Sequence, residues 1–315
     1  MIYLDLIAGV IYLLMGADLL VRGSVALARR TRVSPTLVAF TLVAFGTSLP
    51  ELVIGVEATL AGYPGLVLGN VVGSNIANVM LVGGATALIL PLPTDGETLR
   101  RDSLITVLVS GVFLWMCWSG GINRVEGWLL LAGLMVVLTV SAKEASEDHR
   151  EVLATTPLDW VLGLPSRTKM IVVFLAAGLT GLPLGAQMVV ESAVQIADQL
   201  GISTAIVGLT VVAISTSLPE LATTAVAAWQ RRNEVVMGTI LGSNLFNLMG
   251  ITGAAVLVSR GPVPVPEEFL RMDIPIMLGA AVVLAGFAWA RRPLRKWHGG
   301  VLLAGYVAYT VLLLA

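Results

Sequence analysis

Two glutamates lie inside long apolar stretches of this 315-residue sequence. Glu51 follows Pro50 in the segment TLVAFGTSLPEL, and Glu220 follows Pro219 in TVVAISTSLPEL. A carboxylate at membrane depth is costly and marks a functional site by default. No lysine or arginine of the sequence lies within these stretches to pair with either glutamate. A mobile cation is therefore predicted to supply the missing positive charge.

Helical spacing places further oxygen atoms beside each glutamate. Residues three, four and seven positions apart share one face of a helix, and this face in the first segment carries Ala44, Thr47, Ser48 and Glu51. The equivalent face in the second segment carries Ala213, Thr216, Ser217 and Glu220. Proline removes a backbone donor, so both helices should break or kink there. The break leaves backbone carbonyl oxygens without their helical partners. Membrane-spanning proteins tolerate such oxygens only where they are buried or line a cavity.

Hydroxyl and amide side chains recur in the segments that follow, GNVVGSNIANVM (69–80) and GTILGSNLFNLM (238–249). Ser74 and Asn78 are four residues apart and share a helix face, as do Ser243 and Asn247. Hydrogen bonding between helices is the alternative role for each of these four residues. Glycines at 69, 73, 238 and 242 would let the two helices pack closely against their neighbours.

The charge of this site limits what it can bind. Two ionised glutamates are neutralised by one calcium ion or two sodium ions, and a third sodium ion would leave an excess positive charge. Calcium takes 6–8 oxygen ligands, whereas magnesium needs a stricter octahedron and dehydrates reluctantly. The sequence places neither histidine nor cysteine at this depth for softer metals. We therefore predict transported calcium and sodium ions and no cofactor.

The composition is that of an integral membrane protein. Hydrophobic residues make up 57% of the chain, charged residues only 12%, and mean hydropathy is +0.90, whereas soluble domains carry about 25% charged residues. The net charge of −1 leaves no basic surplus for nucleic acid. The single cysteine, Cys117, excludes an intramolecular disulfide and a thiolate metal cluster. The partners expected are the lipid bilayer and the two ions.

Ten apolar windows are long enough to cross a bilayer as helices, which needs about 20 residues each. They lie at 6–28, 35–61, 67–91, 103–119, 125–142, 170–198, 204–229, 235–259, 273–291 and 299–315. Basic residues collect on the cytoplasmic side. With both termini extracellular or periplasmic, all 19 lysines and arginines except Arg124, Arg260 and Arg271 fall in interior connections. The predicted class is an all-α membrane bundle.

The two glutamate segments are copies of each other. The segments around Glu51 and Glu220 are separated by the same number of residues as the segments around Ser74 and Ser243, without a gap. We predict two five-helix repeats, 1–142 and 170–315, joined by a cytoplasmic linker at 143–169. Because five is odd, the second repeat enters the membrane inverted, which is typical of secondary transporters with a midplane substrate site. The broken helices are then the second and seventh.

The duplicated GTSLPE and GSNxxN motifs closely resemble the α-repeats of the calcium/cation antiporter superfamily, and within it the sodium/calcium exchangers of prokaryotic type. The specific match covers 36–84 and 205–253. The resemblance implies calcium held between the two glutamates, sodium ions around the same residues, and alternating access as the first and sixth helices slide past an eight-helix core. The ion-binding positions it implies are Ala44, Thr47, Ser48, Glu51, Ser74, Asn78, Ala213, Thr216, Ser217, Glu220, Ser243 and Asn247.

Two residues depart from the pattern of these exchangers. Some prokaryotic members and the potassium-dependent branch carry aspartate where this chain has Asn247, which disfavours a potassium requirement and leaves the sodium stoichiometry open. Ser215 replaces the usual glycine and adds a hydroxyl at the break. The paired glutamates and the inverted repeat predict a sodium/calcium antiporter of the plasma (inner) membrane, and we expect it to work as a monomer.

Three other functional classes remain as alternatives. A calcium/proton or other cation/proton antiporter could use the same two glutamates as proton carriers, although the GNATE-like motif of that branch is absent from the sequence. An intramembrane enzyme is disfavoured, since no mid-span histidine or cysteine accompanies Ser48 or Ser217. A passive channel would conduct calcium without a counter-ion.

Overall fold

Helices make up nearly all of the chain in a computed structural model that describes residues 2–152, 164–200 and 215–314. The helices up to residue 152 are α1 (Ile2–Thr31), α2 (Pro35–Val38), α3 (Ala44–Thr47), α4 (Leu49–Leu60), α5 (Pro64–Ala77), α6 (Gly84–Ile89), α7 (Glu97–Cys117) and α8 (Arg124–Val152). The later ones are α9 (Thr168–Gln199), α10 (Leu218–Trp229), α11 (Asn233–Leu245), α12 (Thr252–Val258), α13 (Ile274–Trp289) and α14 (Lys296–Leu314). The short strands β1 (Gly121–Ile122) and β2 (Val263–Pro264) pair antiparallel. The all-helical class is confirmed.

Stretches of π-helix join several of these α-helices end to end. They are Ala39–Val43, Asn78–Gly83, Phe246–Ile251 and Phe269–Asp273. A π-turn adds one residue to a helical turn and redirects the side chains that follow, and such turns are frequent at functional sites. Asn78 opens one of these stretches and Asn247 lies in another. Both predicted site asparagines therefore lie where the helix register changes.

Six helical stretches among the described residues are long and apolar enough to cross a membrane: Ile2–Thr31, Gly65–Ile89, Arg124–Lys143, Thr168–Gln199, Asn233–Val258 and Phe269–Trp289. A seventh is reached if Pro35–Thr47 and Leu49–Leu60, which meet at a bend of 43°, form one span. The predicted windows at 103–119 and 299–315 also fall on helices, α7 and α14, which begin with charged residues. Only the later part of the window at 204–229 lies within the described residues.

Helices α1 and α9 pack extensively along each other. A Cβ added to Gly16 would lie 2.8 Å from the backbone nitrogen of Leu182, and one added to Gly178 would lie 2.7 Å from that of Leu20, so the two backbones are almost in contact. The close contacts pair Gly9 with Val189, Gly16 with Leu182 and Leu20 with Gly178. Partner numbers fall along α9 as they rise along α1, which means that the two helices run antiparallel.

Glycines also bring α11 against the helix that precedes the first glutamate. A Cβ added to Gly238 would lie 2.6 Å from the Thr36 carbonyl oxygen, and one added to Gly242 would lie 2.8 Å from the Ala44 Cβ. This is the close packing predicted for these two glycines. The approach places Ser243, the next residue along α11, beside the segment that carries Ala44.

The structure differs from the sequence expectation just after the fifth predicted span. Helix α8 continues to Val152, although the linker is predicted to begin at residue 143. The added residues include three glutamates and one alanine, which are good helix formers. The first part of the predicted linker is therefore a continuation of α8.

Candidate cation-binding site

The candidate site begins at a break in the helix that carries Glu51. Helix α3 ends at Thr47 and α4 begins at Leu49, and the helical stretch Pro35–Thr47 meets α4 at a bend of 43°. The bend lies where Pro50 is expected to interrupt the helix. Ser48 at the break has φ −88° and ψ 6°, and Ser217, which precedes α10, has φ −90° and ψ 2°. The two copies of the motif thus have the same local backbone geometry.

Each glutamate lies in the first turn of the helix that follows the break. Glu51 in α4 and Glu220 in α10 are both only 1% exposed. The N-terminal end of a helix carries a partial positive charge that stabilises anions. The two carboxylates lie close enough to repel each other. The fold therefore gathers two carboxyl groups at one buried position.

Side chains from both halves of the chain surround the Glu220 carboxylate. Ser48 Oγ donates a hydrogen bond to Glu220 Oε1 across 3.1 Å, and Thr47 and Ser243 also lie within reach of this carboxylate. The three neighbours come from the end of α3, the break after it, and α11. Residues far apart in sequence thus form one site.

Most of the predicted ligands have a buried oxygen atom without a hydrogen bond from any described residue. These atoms are Glu51 Oε2, Glu220 Oε2, Ser74 Oγ, Ser217 Oγ, Ser243 Oγ, Asn78 Oδ1 and Asn247 Oδ1. An unsatisfied buried polar group costs about 1–3 kcal/mol, so such a concentration of them needs a ligand to offset it. Carboxylate, hydroxyl and amide oxygens are the donor set that calcium prefers. The residues therefore fit a hard cation as substrate.

The remaining predicted ligands have different surroundings. Ala44 is buried, but its carbonyl oxygen already accepts bonds from Ser48 N at 3.0 Å and from Thr47 Oγ1 at 3.3 Å. Thr216 is only partly buried. Ala213 lies outside the described residues.

A cavity of about 410 Å³ lies beside the two helix breaks. Its lining includes Pro50 from α4, Thr216 and Pro219 from the second motif, and Gln187 and Glu191 from α9. Gln187 Nε2 donates to Glu191 Oε1 at 2.7 Å, and Glu191 is exposed. The cavity connects α9 with residues adjacent to both buried glutamates.

Comparison with known proteins places this arrangement in a family. The family model described as "Sodium/calcium exchanger protein" matches residues 2–143 and 170–315. This chain belongs to that sodium/calcium exchanger family. Members of this family are ion transporters, so the protein is a membrane transporter and not an enzyme.

Relatives extend the likeness over nearly the whole exchanger. This chain is 33% identical over 302 residues to the inner membrane protein YrbG of Escherichia coli, and the alignment covers 95% of this chain and 92% of YrbG. It is 30% identical over 344 residues to the sodium/calcium exchanger MaX1 of Methanosarcina acetivorans, covering 99% and 98% of the two chains. A solved structure of the sodium-calcium exchanger NCX_Mj aligns with a TM-score of 0.84 at 29% identity over 96% of each chain.

Two further buried asparagines directly follow predicted ligands, and one of them, Asn244, bonds Asn78. Asn75 and Asn244 follow Ser74 and Ser243 directly, and both are 2% exposed. Helical spacing favours Asn78 and Asn247 as ligands, because these two share a face with the serines and the adjacent asparagines do not. Their exact recurrence within the duplicated GSNxxN motif is the signal that could have found them.

Proposed function

We propose that this exchanger moves calcium across the membrane in exchange for sodium, with Glu51 and Glu220 as the central cation ligands. The observation that carries the proposal is the pair of buried carboxylates, of which Glu220 accepts a hydrogen bond from Ser48 of the other half, together with the buried ligand oxygens that have no hydrogen bond from the described residues. Among the residues that the structure describes, neither glutamate forms a salt bridge. A transported cation is the natural partner for these charges.

The charge of the two carboxylates limits which ions the site can hold. Two carboxylates balance either one calcium ion or two sodium ions, so the same site can hold the two substrates alternately. Asn247 is neutral and adds no third charge. Exchange of three sodium ions for one calcium ion would move net charge, and we propose that the antiport is electrogenic. The names of MaX1 and NCX_Mj as sodium/calcium exchangers support this choice of substrates.

We propose a full set of ligands drawn equally from both halves. The set is Ala44, Thr47, Ser48, Glu51, Ser74 and Asn78 with Ala213, Thr216, Ser217, Glu220, Ser243 and Asn247. Support comes from the seven unbonded oxygens named above and from the contacts of Glu220. Calcium needs 6–8 oxygens, which this set supplies from side chains together with backbone carbonyls near the breaks.

The architecture proposed for this function is ten membrane-spanning helices in two inverted repeats, 1–142 and 170–315, with breaks in the second and seventh helices. The antiparallel packing of α1 against α9 supports inversion, because these helices occupy corresponding places at the start of the two repeats. The family match also falls in two segments, on either side of residues 144–169. These observations support a linker between two halves.

Alternating access requires a route from the site to each side of the membrane. The cavity between α9 and the two proline-containing breaks is our candidate for one of them. Since α1 and α9 pack mainly on each other, with a seam of glycines between them, we propose that they move as a pair relative to the other helices. Movement of α9 would then open or close this cavity.

An ion-replacement flux assay tests the function. The full chain is reconstituted in proteoliposomes, and uptake of radioactive calcium is measured while sodium, potassium and proton gradients are varied one at a time. We expect an outward sodium gradient to drive uptake, potassium to be unable to replace sodium, and membrane potential to change the rate. Uptake driven by a pH gradient without sodium would instead identify a calcium/proton antiporter. Calcium entry that needs no counter-ion would identify a channel.

The location and orientation proposed are the plasma (inner) membrane with both termini on the outer face, in a protein that works as a monomer. The inner-membrane designation of YrbG supports the location, and the distribution of basic residues supports the orientation. We expect an alkaline phosphatase fused after residue 315 to be active and a green fluorescent protein fused there to stay dark. Fusions within residues 143–169 should give the opposite pattern, and equal patterns at both sites would contradict the inverted arrangement.

A further inference from the structure

Asn244 forms a hydrogen bond that links the two halves of the site. Its Oδ1 accepts from Asn78 Nδ2 at 3.1 Å, although the residues are 166 positions apart. Asn244 belongs to α11, and Asn78 opens the π-helical stretch after α5. Both residues are almost fully buried, at 2% and 1% exposure. Asn244 therefore contacts a proposed ion ligand without being one of the proposed ligands itself.

The bond determines which way the Asn78 amide points. The terminal torsion of asparagine is broad, so its side chain needs a partner to fix its orientation. With the amide nitrogen directed at Asn244, the oxygen on the other side of the amide group is directed away from it. Asn78 Oδ1 is buried and has no hydrogen bond from the described residues. The amide is thus held by its donor while its acceptor stays free.

We infer that Asn244 is a positioning residue that keeps the Asn78 oxygen available to the transported cation. The inference rests on the proposed function, in which Asn78 is a calcium ligand. Without the bond, the amide could turn its nitrogen toward the cation, and an N–H group repels a positive ion. Asn244 would then act on calcium affinity entirely through Asn78.

The other half of the chain offers a matched control. Asn75 occupies the corresponding position in the first motif and is equally buried at 2% exposure. Its Nδ2 donates to the Val71 carbonyl of its own helix at 2.7 Å, and its Oδ1 has no hydrogen bond from the described residues. Asn75 therefore does not hold Asn247 in the way that Asn244 holds Asn78. The two asparagines are alike in type and burial but differ in this contact.

The test compares Asn244→Ala, Asn75→Ala, Asn78→Ala and the double variant of Asn244 and Asn78 in the full chain. Calcium dependence of transport and calcium-induced thermal stabilisation are both measured. We expect Asn244→Ala to raise the calcium concentration for half-maximal effect by about tenfold, as a misdirected buried hydrogen-bonding group does, with little change in maximal rate. Asn75→Ala should change it by less than about threefold. In the Asn78→Ala background, Asn244→Ala should have no further effect.

A conservative variant keeps the test sound if Asn244→Ala fails to fold. Asn244→Asp retains an acceptor for Asn78 Nδ2, so it should bind calcium at least as tightly as the natural protein. The difference in calcium affinity between Asn244→Asp and Asn244→Ala should become smaller when Asn78 is alanine, because only the charge of the aspartate then remains.

Several results would overturn the inference while leaving the proposed function intact. These are equal losses of calcium affinity in Asn244→Ala and Asn75→Ala, additive effects of the Asn244 and Asn78 changes, or weakened calcium binding by Asn244→Asp. In each case the natural protein would still carry out sodium-dependent calcium transport. A natural protein that neither transports calcium nor is stabilised by it would overturn both proposals.

Discussion

Replacing Glu220 with glutamine should abolish sodium-driven calcium uptake. The change keeps the shape of the side chain but halves the negative charge of the site, leaving Glu51 to balance a divalent ion alone. Removing one partner from a buried charge pair costs about 3–5 kcal/mol, which corresponds to a loss of calcium affinity of roughly a hundredfold or more. Glu51→Gln should have a similar effect, because its carboxylate is buried to the same extent. Radioactive calcium flux in proteoliposomes measures both.

Glu57 provides the control for this prediction. It lies in α4, the same helix as Glu51, but it is exposed. Glu57→Gln makes the same chemical change and should leave transport within about twofold of the natural protein, since exposed charges contribute little. If Glu51→Gln and Glu220→Gln carry calcium as well as Glu57→Gln does, the proposed site is wrong.

Replacing Gly242 with valine should remove transport for a different reason. An added Cβ at Gly242 would lie 2.8 Å from both the Ala44 Cβ and the Phe40 Cα, and backbone atoms cannot turn aside as a side chain can. Overpacking of this kind typically costs about 1–3 kcal/mol, and here it would separate α11 from the segment before the break. Ser243 and Thr47 would then move apart. We expect a lower unfolding temperature and at least a roughly tenfold loss of calcium flux.

The matched control is Gly279→Val in α13. Gly279 is exposed, and an added Cβ there meets no atom within 4 Å. The valine should therefore be accommodated with little effect on the unfolding temperature or on calcium flux. Similar losses in the two variants would mean that valine harms these helices wherever it is placed, and that the close approach at Gly242 is unimportant.

The chemistry of the site could be predicted because buried charge is rare in this sequence. Glu51 and Glu220 stand out in apolar segments, and their duplication identifies the polar residues around them. The helix break at Ser48 follows from Pro50, whose missing donor is a local property. The structure adds where these residues meet, such as the Ser48 hydroxyl on the Glu220 carboxylate.

Other features depended on packing between distant segments and could not be predicted. The Asn78–Asn244 bond joins two segments that are 166 residues apart, and a π-helical stretch begins at Asn78. A π-turn adds one residue to a turn, so helical spacing counted from sequence no longer tells which side chain faces the site. Likewise, α8 continues beyond residue 142 because its helix formers outweigh the polarity that suggested a linker.

The contacts between α1 and α9 are those of a two-fold symmetric dimer. In such an interface, if one residue touches a second, the copy of the second touches the copy of the first. Copies are counted at the offset of 169 residues that separates Glu51 from Glu220. Gly9 meets Val189 and Leu20 meets Gly178, while Gly16 meets Leu182 and Leu13 meets Gly185, and in each of these two pairs the second contact is the first with the copies exchanged. At the same offset, Asp18 and Arg22 on α1 correspond to Gln187 and Glu191 on α9, so the symmetric seam has different charges on its two helices.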